Sequence, residues 1–294
     1  MQDFKYFKKI ISKNILFMMI LVLLLVGVSE RIVNLMVAND SYVLDRNKSI
    51  FRILREPENS VDIIVLGDSL GMTSISPMAW WGDYGMTGYV CGQTGQRMQE
   101  AFHMLQAAYE TQSPKLVILE TNMVFRCKNL SSEVKDCLGE IGYRYIPIFQ
   151  GHDIWKSMLS EKQYPAENYK GFAFRCETVP YEQGEYMQKN DQKEEISKIV
   201  SFYLEKIRKL CEKNGTKLLL VSTPSPINCN YARHNSIEAY AREKGLDFLD
   251  LNLKTEEIGI NWKTDSLDNG DHLNYSGADK VTRYLGNYLT QNYT

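Results

Sequence analysis

A chain of 294 residues, 44% hydrophobic and 24% charged, carries enough apolar content to bury a core and too much to stay disordered. Its 34 basic and 36 acidic residues leave a net charge of −2 with no basic stripe, so no nucleic-acid partner is expected. Length favours one large domain over two modest ones.

Lys5, Lys8, Lys9 and Lys13 stand against the single acid Asp3, and an uninterrupted apolar run follows from Ile15 to Val28. That run is short for a full membrane span. Extended back through Ile10 and Ile11, with Lys13 snorkelling to the headgroups, it becomes about 19 residues or roughly 28 Å of helix. No small-x-small cleavage site follows, since Ser29-Glu30-Arg31 and Met36-Val37-Ala38 fit poorly. Residues 1–37 therefore read as a basic cytoplasmic stub and an uncleaved transmembrane signal-anchor. A cleaved signal peptide and a buried core helix are the alternatives. Lysines before the span keep that end inside and place the remainder outside the cell membrane. The polar residues 38–60 read as a stem.

From residue 61 onward strands and helices alternate. Val61–Leu66 is an apolar strand ending at Gly67, and Gly88–Cys91 is a second. Met98, Phe102, Leu105 and Ala108 recur at helical spacing over 97–111, and Lys115–Leu119 forms the third strand. Residues 121 to about 190 break the rhythm and read as an insert. A helix over 193–213 stops at Asn214-Gly215, followed by the strand Lys217–Val221. A helix over about 235–244, the strand Leu246–Leu251 and a helix from about Ser276 to Leu289 complete the chain. Apolar strands separated by helices predict a parallel sheet buried on both faces, a three-layer α/β/α doubly wound domain over 61–294. Such sheets bind ligands beyond the carboxyl ends of their strands.

Six cysteines are present, and no Cys/His spacing reads as a zinc site, so neither metal nor cofactor is expected. Cys91 and Cys211 lie in apolar contexts suited to buried thiols, and only Cys127 with Cys137 resembles a local loop closure.

Gly67-Asp68-Ser69-Leu70 follows the first strand directly, a turn that lifts a serine hydroxyl above the sheet edge. Asp268-Asn269-Gly270-Asp271-His272 lies in a polar loop before the closing helix. A serine needs a neutral imidazole to take its proton, and the imidazole needs a carboxylate to hold its tautomer. Ser69 is therefore the candidate nucleophile and His272 the candidate base. Gly151-His152-Asp153-Ile154-Trp155-Lys156 and Trp80-Trp81 admit both a substrate-facing and a core reading, and Thr223-Pro224-Ser225-Pro226 reads as a rigid loop.

With these two motifs the chain resembles the SGNH (GDSL) hydrolase superfamily over roughly residues 60 to 290, whose fold is flavodoxin-like. The N-terminal anchor, the middle insert and the Asp-His-Leu-Asn ending look more narrowly like membrane-anchored envelope acyl-transfer proteins. These are the DltD-like proteins of teichoic-acid D-alanylation and the alginate O-acetylation proteins. The resemblance implies Ser69 as nucleophile and His272 as base. It also implies an acyl donor, an envelope glycopolymer acceptor and a membrane-bound O-acyltransferase as partners; an anchored esterase or deacylase and a noncatalytic envelope accessory of the same fold are the alternatives. The superfamily's acid usually stands at Asp-x-x-His, where this chain has Asn269. Asp268 is the expected acid and Asp271 the alternative, because side chains of adjacent residues diverge. The oxyanion hole is expected to draw on the Ser69 N–H, on Gly92 or Gly95 after the second strand, and on Asn122 after the third.

Overall fold

The computed structural model describes residues 2–39, 43, 48–126, 130–150 and 169–293. Helix α1 (Gln2–Ala38) leads into the short helix α2 (Lys48–Ile53). The sheet follows as β1 (Ile63–Gly67), β2 (Gly88–Gly92), β3 (Leu116–Glu120), β4 (Lys217–Ser222) and β5 (Asp247–Asp250). All pairings are parallel and the spatial order is β2-β1-β3-β4-β5. This is the doubly wound flavodoxin-like order, whose switch point falls between β1 and β3.

Successive strand residues point to opposite faces, so each strand feeds two cores. Ile64, Leu66, Val117, Leu119, Leu218 and Leu220 pack on one side with α5 (Met98–Ala108). After α6 (Leu130–Tyr145) and α7 (Pro147–Gln150), two more helices share that side, α8 (Lys198–Lys213) and α9 (Tyr231–Lys244). Ile63, Val65, Val90, Ile118, Leu219 and Val221 pack on the other. There they meet Trp80 of α4 (Pro77–Tyr84) and Val281, Leu285 and Leu289 of the last helix (Tyr275–Asn292). Each fully buried Leu, Ile or Val contributes about 1.5–3 kcal/mol relative to exposure. Trp80 is wholly buried, with its indole N–H on the Thr282 carbonyl at 2.9 Å, while Trp81 is exposed. The two tryptophans thus divide between core and surface.

Helix α1 contains one stretch, Ser12–Ala38, long and apolar enough to cross a membrane. Its apolar side chains from Ile15 to Val28 are exposed, unlike those of a core helix. The last turns are different: Ile32, Val33, Met36 and Val37 pack with Val43 and Phe51. Part of the segment read as stem is therefore an element of the domain, since α2 buries Phe51 and Ile53 completely and its Ser49 hydroxyl donates to the Gly92 carbonyl at 2.6 Å.

The insert supplies helices α6 and α7 and, from Tyr169 onward, a strap without regular structure. Residues 151–156 and Cys127 lie outside the described residues, and Cys137 carries a free thiol. From Lys170 the strap is tied by its backbone: Lys170 O accepts from Val90 N at 2.8 Å, and Ala173 N donates to Met72 O at 2.8 Å. Arg175 O accepts from Tyr275 N at 2.6 Å, and Val179 exchanges bonds with Ser266 O and Asn269 N. Gly171 makes this approach possible, because a Cβ there would lie 2.0 Å from Val90 O at a φ of 83°.

Candidate active site

At the carboxyl end of β1 the chain turns at Asp68 into the short helix α3 (Ser69–Ser74). Asp68 caps that helix by accepting the Leu70 N–H at 2.9 Å. Ser69 begins the helix, half-buried above the sheet edge.

The histidine arrives from the opposite end of the chain. Leu267 N donates to His272 O at 2.9 Å, and Ser266 bridges Leu273 in antiparallel fashion, closing a tight loop. Asn269 and Gly270 at its tip both have positive φ, 60° and 87°, the conformation that Asn-Gly pairs supply in such turns. This accounts for the amide at 269: that position turns the chain, and Asp268 reaches the imidazole from one residue further back. Asp268 Oδ2 lies 2.7 Å from His272 Nδ1, and its Oδ1 accepts the His272 main-chain N–H at 2.7 Å. His272 Nε2 stands 2.8 Å from Ser69 Oγ. The structure thus joins Ser69, His272 and Asp268 in one hydrogen-bonded line, with His272 only 16% exposed and Asp268 43%. Asp271 Oδ1 is 3.7 Å from Nδ1 and is taken instead by the Asn228 amide at 2.5 Å. Asp268, Asp271 and His272 also form a group whose ligand atoms lie within 4.8 Å of one another. Both ring nitrogens are already bonded, so the site as built serves proton transfer better than metal binding.

The other expected residues occupy the same sheet edge. Gly92 pairs with Gly67 in register, and a Cβ on it would meet Gly67 O and Met72 Cγ at 2.8 Å. Gly95 turns the chain at φ 65° in open space, with no hydrogen bond to Ser69 among the described residues. Asn122 lies in a 3-10 turn (Thr121–Phe125) after β3. Its Nδ2 donates to Asp68 Oδ2 at 2.8 Å, and its Oδ1 accepts from Arg233 at 3.4 Å. One amide hydrogen of Asn122 is therefore committed to the residue before the nucleophile.

Several residues of this edge were given no part in the site from the sequence. Asp68 is completely buried and also accepts from Arg126 Nε. Glu120, likewise buried, accepts the Asn122 N–H at 3.1 Å and the Thr223 hydroxyl at 3.3 Å. Burial, with the Asp68 carboxylate beside it, pushes the Glu120 carboxyl well above the usual range. The Ser225 hydroxyl is shared between the Gly270 and Asp271 carbonyls at 3.2 and 2.7 Å. The available signal was position alone, since each lies within a few residues of a strand's carboxyl end.

No protein-family model and no curated protein matches the chain. Among solved structures it is similar to a GDSL-like lipase from Bacteroides thetaiotaomicron at 12% identity, covering 78% of this chain and 87% of the other with a TM-score of 0.38. It is also similar to the lipase/acylhydrolase from Enterococcus faecalis at 11% identity, covering 79% and 96% with a TM-score of 0.39. At these scores the likeness carries no argument about activity.

Proposed function

We propose that this chain is a serine acyl-transfer enzyme of the SGNH type, held at the outer face of a membrane by its N-terminal helix. The observation that carries the reading is the line Ser69 Oγ–His272–Asp268, at 2.8 and 2.7 Å. Ser69 attacks an acyl carbonyl and passes its proton to His272 Nε2, and the leaving group departs with that proton. A hydroxyl then attacks the Ser69 ester, its proton going to His272 and back to Ser69 Oγ as the acyl group leaves. Asp268 keeps Nδ1 protonated and stabilises the imidazolium. The Ser69 N–H, Gly92 or Gly95 and the Asn122 amide are the proposed oxyanion donors.

The finer reading takes the acceptor to be a cell-envelope polysaccharide or teichoic acid, the acyl group acetyl or D-alanyl, and a membrane-bound O-acyltransferase the supplier. The long apolar helix and the resemblance to envelope acyl-transfer proteins support it. With water as acceptor the same chemistry makes an anchored esterase. The full-length protein in detergent, treated with p-nitrophenyl acetate and digested for mass spectrometry, should carry acetyl on Ser69. Ser69→Ala should lose the adduct and keep its melt, because the hydroxyl bonds the histidine and packs no core. A parent protein that carries no acetyl and releases p-nitrophenol no faster than Ser69→Ala would sink the reading. Adding candidate glycopolymers to the acetylated enzyme then separates transfer from hydrolysis.

A further inference from the structure

One buried acid beneath the nucleophile has no part in the acyl-transfer steps. Glu120 has no exposed surface, and its side chain lies against the Ser69 turn. A Cβ on Gly67 would come within 3.2 Å of Glu120 Cβ, and one on Gly71 within 3.6 Å. A Cβ on Gly67 would crowd this side chain, whereas one on Gly71 would only touch it.

The two carboxyl oxygens of Glu120 serve two different elements. Oε2 takes the Asn122 N–H at 3.1 Å, and the Asn122 amide continues to Asp68 at 2.8 Å, next to Ser69. Oε1 takes the Thr223 hydroxyl at 3.3 Å in the loop after β4. Two residues on, the Ser225 hydroxyl bonds the carbonyl of Asp271, next to His272, at 2.7 Å. Asn252, after β5, braces the same loop through Thr223 O at 3.1 Å and Ser225 N at 3.0 Å. A polar path therefore runs from the serine turn through Glu120 to the histidine loop, crossing the ends of β1, β3 and β4.

We infer that Glu120 is a positioning residue, which through Asn122 and Thr223 sets the serine turn against the histidine loop; this rests on the proposed role of Ser69. An apolar side chain of the same size would fill the space and leave the Asn122 and Thr223 donors without partners. A displacement of 1 Å at a reacting centre can cost about 100-fold in rate. The charged or titratable groups around the carboxyl are Asp68 with Arg126 on it and the Cys229 thiol. With the Glu120 carboxyl pushed upward, an amide is the conservative replacement: its oxygen takes the Asn122 N–H and its nitrogen donates to the Thr223 hydroxyl, which accepts as well as donates.

The test uses the full-length protein in detergent and compares Glu120→Gln with Glu120→Met, which are similar in volume. Glu120→Gln should keep at least about a third of kcat for p-nitrophenyl acetate, whereas Glu120→Met should lose about 10- to 100-fold with KM within twofold. Equal kcat in the two variants, or a loss confined to KM, would overturn the inference. Should Glu120→Met not fold, Thr223→Val severs one link of the path, and its unchanged turnover would have the same force. Histidine-selective 15N spectra of these proteins read the geometry independently of turnover, with His272 assigned by its own substitution. Its ring signals should move in Glu120→Met and Thr223→Val and stay in Glu120→Gln; signals unmoved throughout would refute the positioning role. A parent protein that fails to acetylate Ser69 but shows these shifts would instead count against the acyl-transfer reading.

Discussion

Replacing Asp268 by Asn tests the relay where the geometry is most demanding. Asp268 uses one oxygen for the His272 main-chain N–H and the other for Nδ1, both at 2.7 Å. An amide has one acceptor for these two donors. With its carbonyl on the main chain, its nitrogen faces Nδ1 and selects the tautomer protonated at Nε2, which cannot take the Ser69 proton. Flipped, the amide restores the tautomer but sets its nitrogen against the His272 N–H, costing about 1–3 kcal/mol for an unpaired donor. In either case a charge-assisted bond to the imidazolium becomes neutral, a further loss of about 1–2 kcal/mol. The sum, about 2–5 kcal/mol, corresponds to roughly a 30- to 5,000-fold fall in kcat. Asp268 is 43% exposed, so water softens the defect, and the lower part of the range, about 30- to 400-fold, is expected. Asp271→Asn should cost less than about threefold, since that carboxylate stands 3.7 Å from the ring and is engaged by Asn228. Burst and steady-state release of p-nitrophenol from both variants decides the matter. A collapsed Asp271→Asn beside a nearly normal Asp268→Asn, or two normal variants, would refute the reasoning.

Three further outcomes are expected. Glu120 holds a proton in the fold beyond the pH at which an ordinary glutamate near 4.5 releases it, because of burial and then of Asp68. The native state therefore binds more protons than the unfolded chain above that pH, and stability falls as pH rises, by up to about 1.4 kcal/mol per unit, until the folded Glu120 ionises. Glu120→Gln removes that slope, so its melting temperature should gain on the parent's from pH 4.5 upward, and a constant offset would contradict this account. Gly92→Ala should lower stability by about 1–3 kcal/mol in thermal melts, because its Cβ meets Gly67 O and Met72 at 2.8 Å. Removing residues 1–28 should leave a domain more stable than removing residues 1–47, which strips Met36 and Val43 from Phe51 at a cost of about 1.5–3 kcal/mol for each buried side chain; equal melts would mean the helix end adds nothing.

Much of the architecture is legible because it is written in local pattern. Ile63–Leu66, Leu116–Leu119 and Leu218–Val221 are apolar at every position, as strands buried on both faces must be, and the helices between them repeat at helical spacing. Ser69 after the first strand and His272 before the last helix can be paired from sequence because doubly wound sheets gather such loops at one edge. The departures have equally physical causes. Phe51 sits in a segment too polar to announce itself, and its partners Met36 and Val43 come from the end of an apolar helix and from between that helix and α2. The strap from Lys170 to Tyr181 is held by backbone hydrogen bonds, to which side-chain pattern contributes almost nothing.

Read by itself, the sequence determined the alternation of strands and helices, the apolar N-terminal stretch, and the presence of a serine and a histidine in turns suited to chemistry. The sequence preferred Asp268 to Asp271, and tertiary structure added that Asp268 bonds the imidazole while Asn228 holds Asp271; it alone decided that Glu120, an unremarked acid at a strand end, is buried beneath Ser69. The reason is distance along the chain. Periodicity records which face of an element is covered, whereas the bonds from Glu120 to Thr223 and from Ser69 to His272 join residues 103 and 203 positions apart. Glu120 and Thr223 meet because the order β2-β1-β3-β4-β5 sets the ends of β3 and β4 side by side, whereas His272 reaches Ser69 on the loop that precedes the last helix.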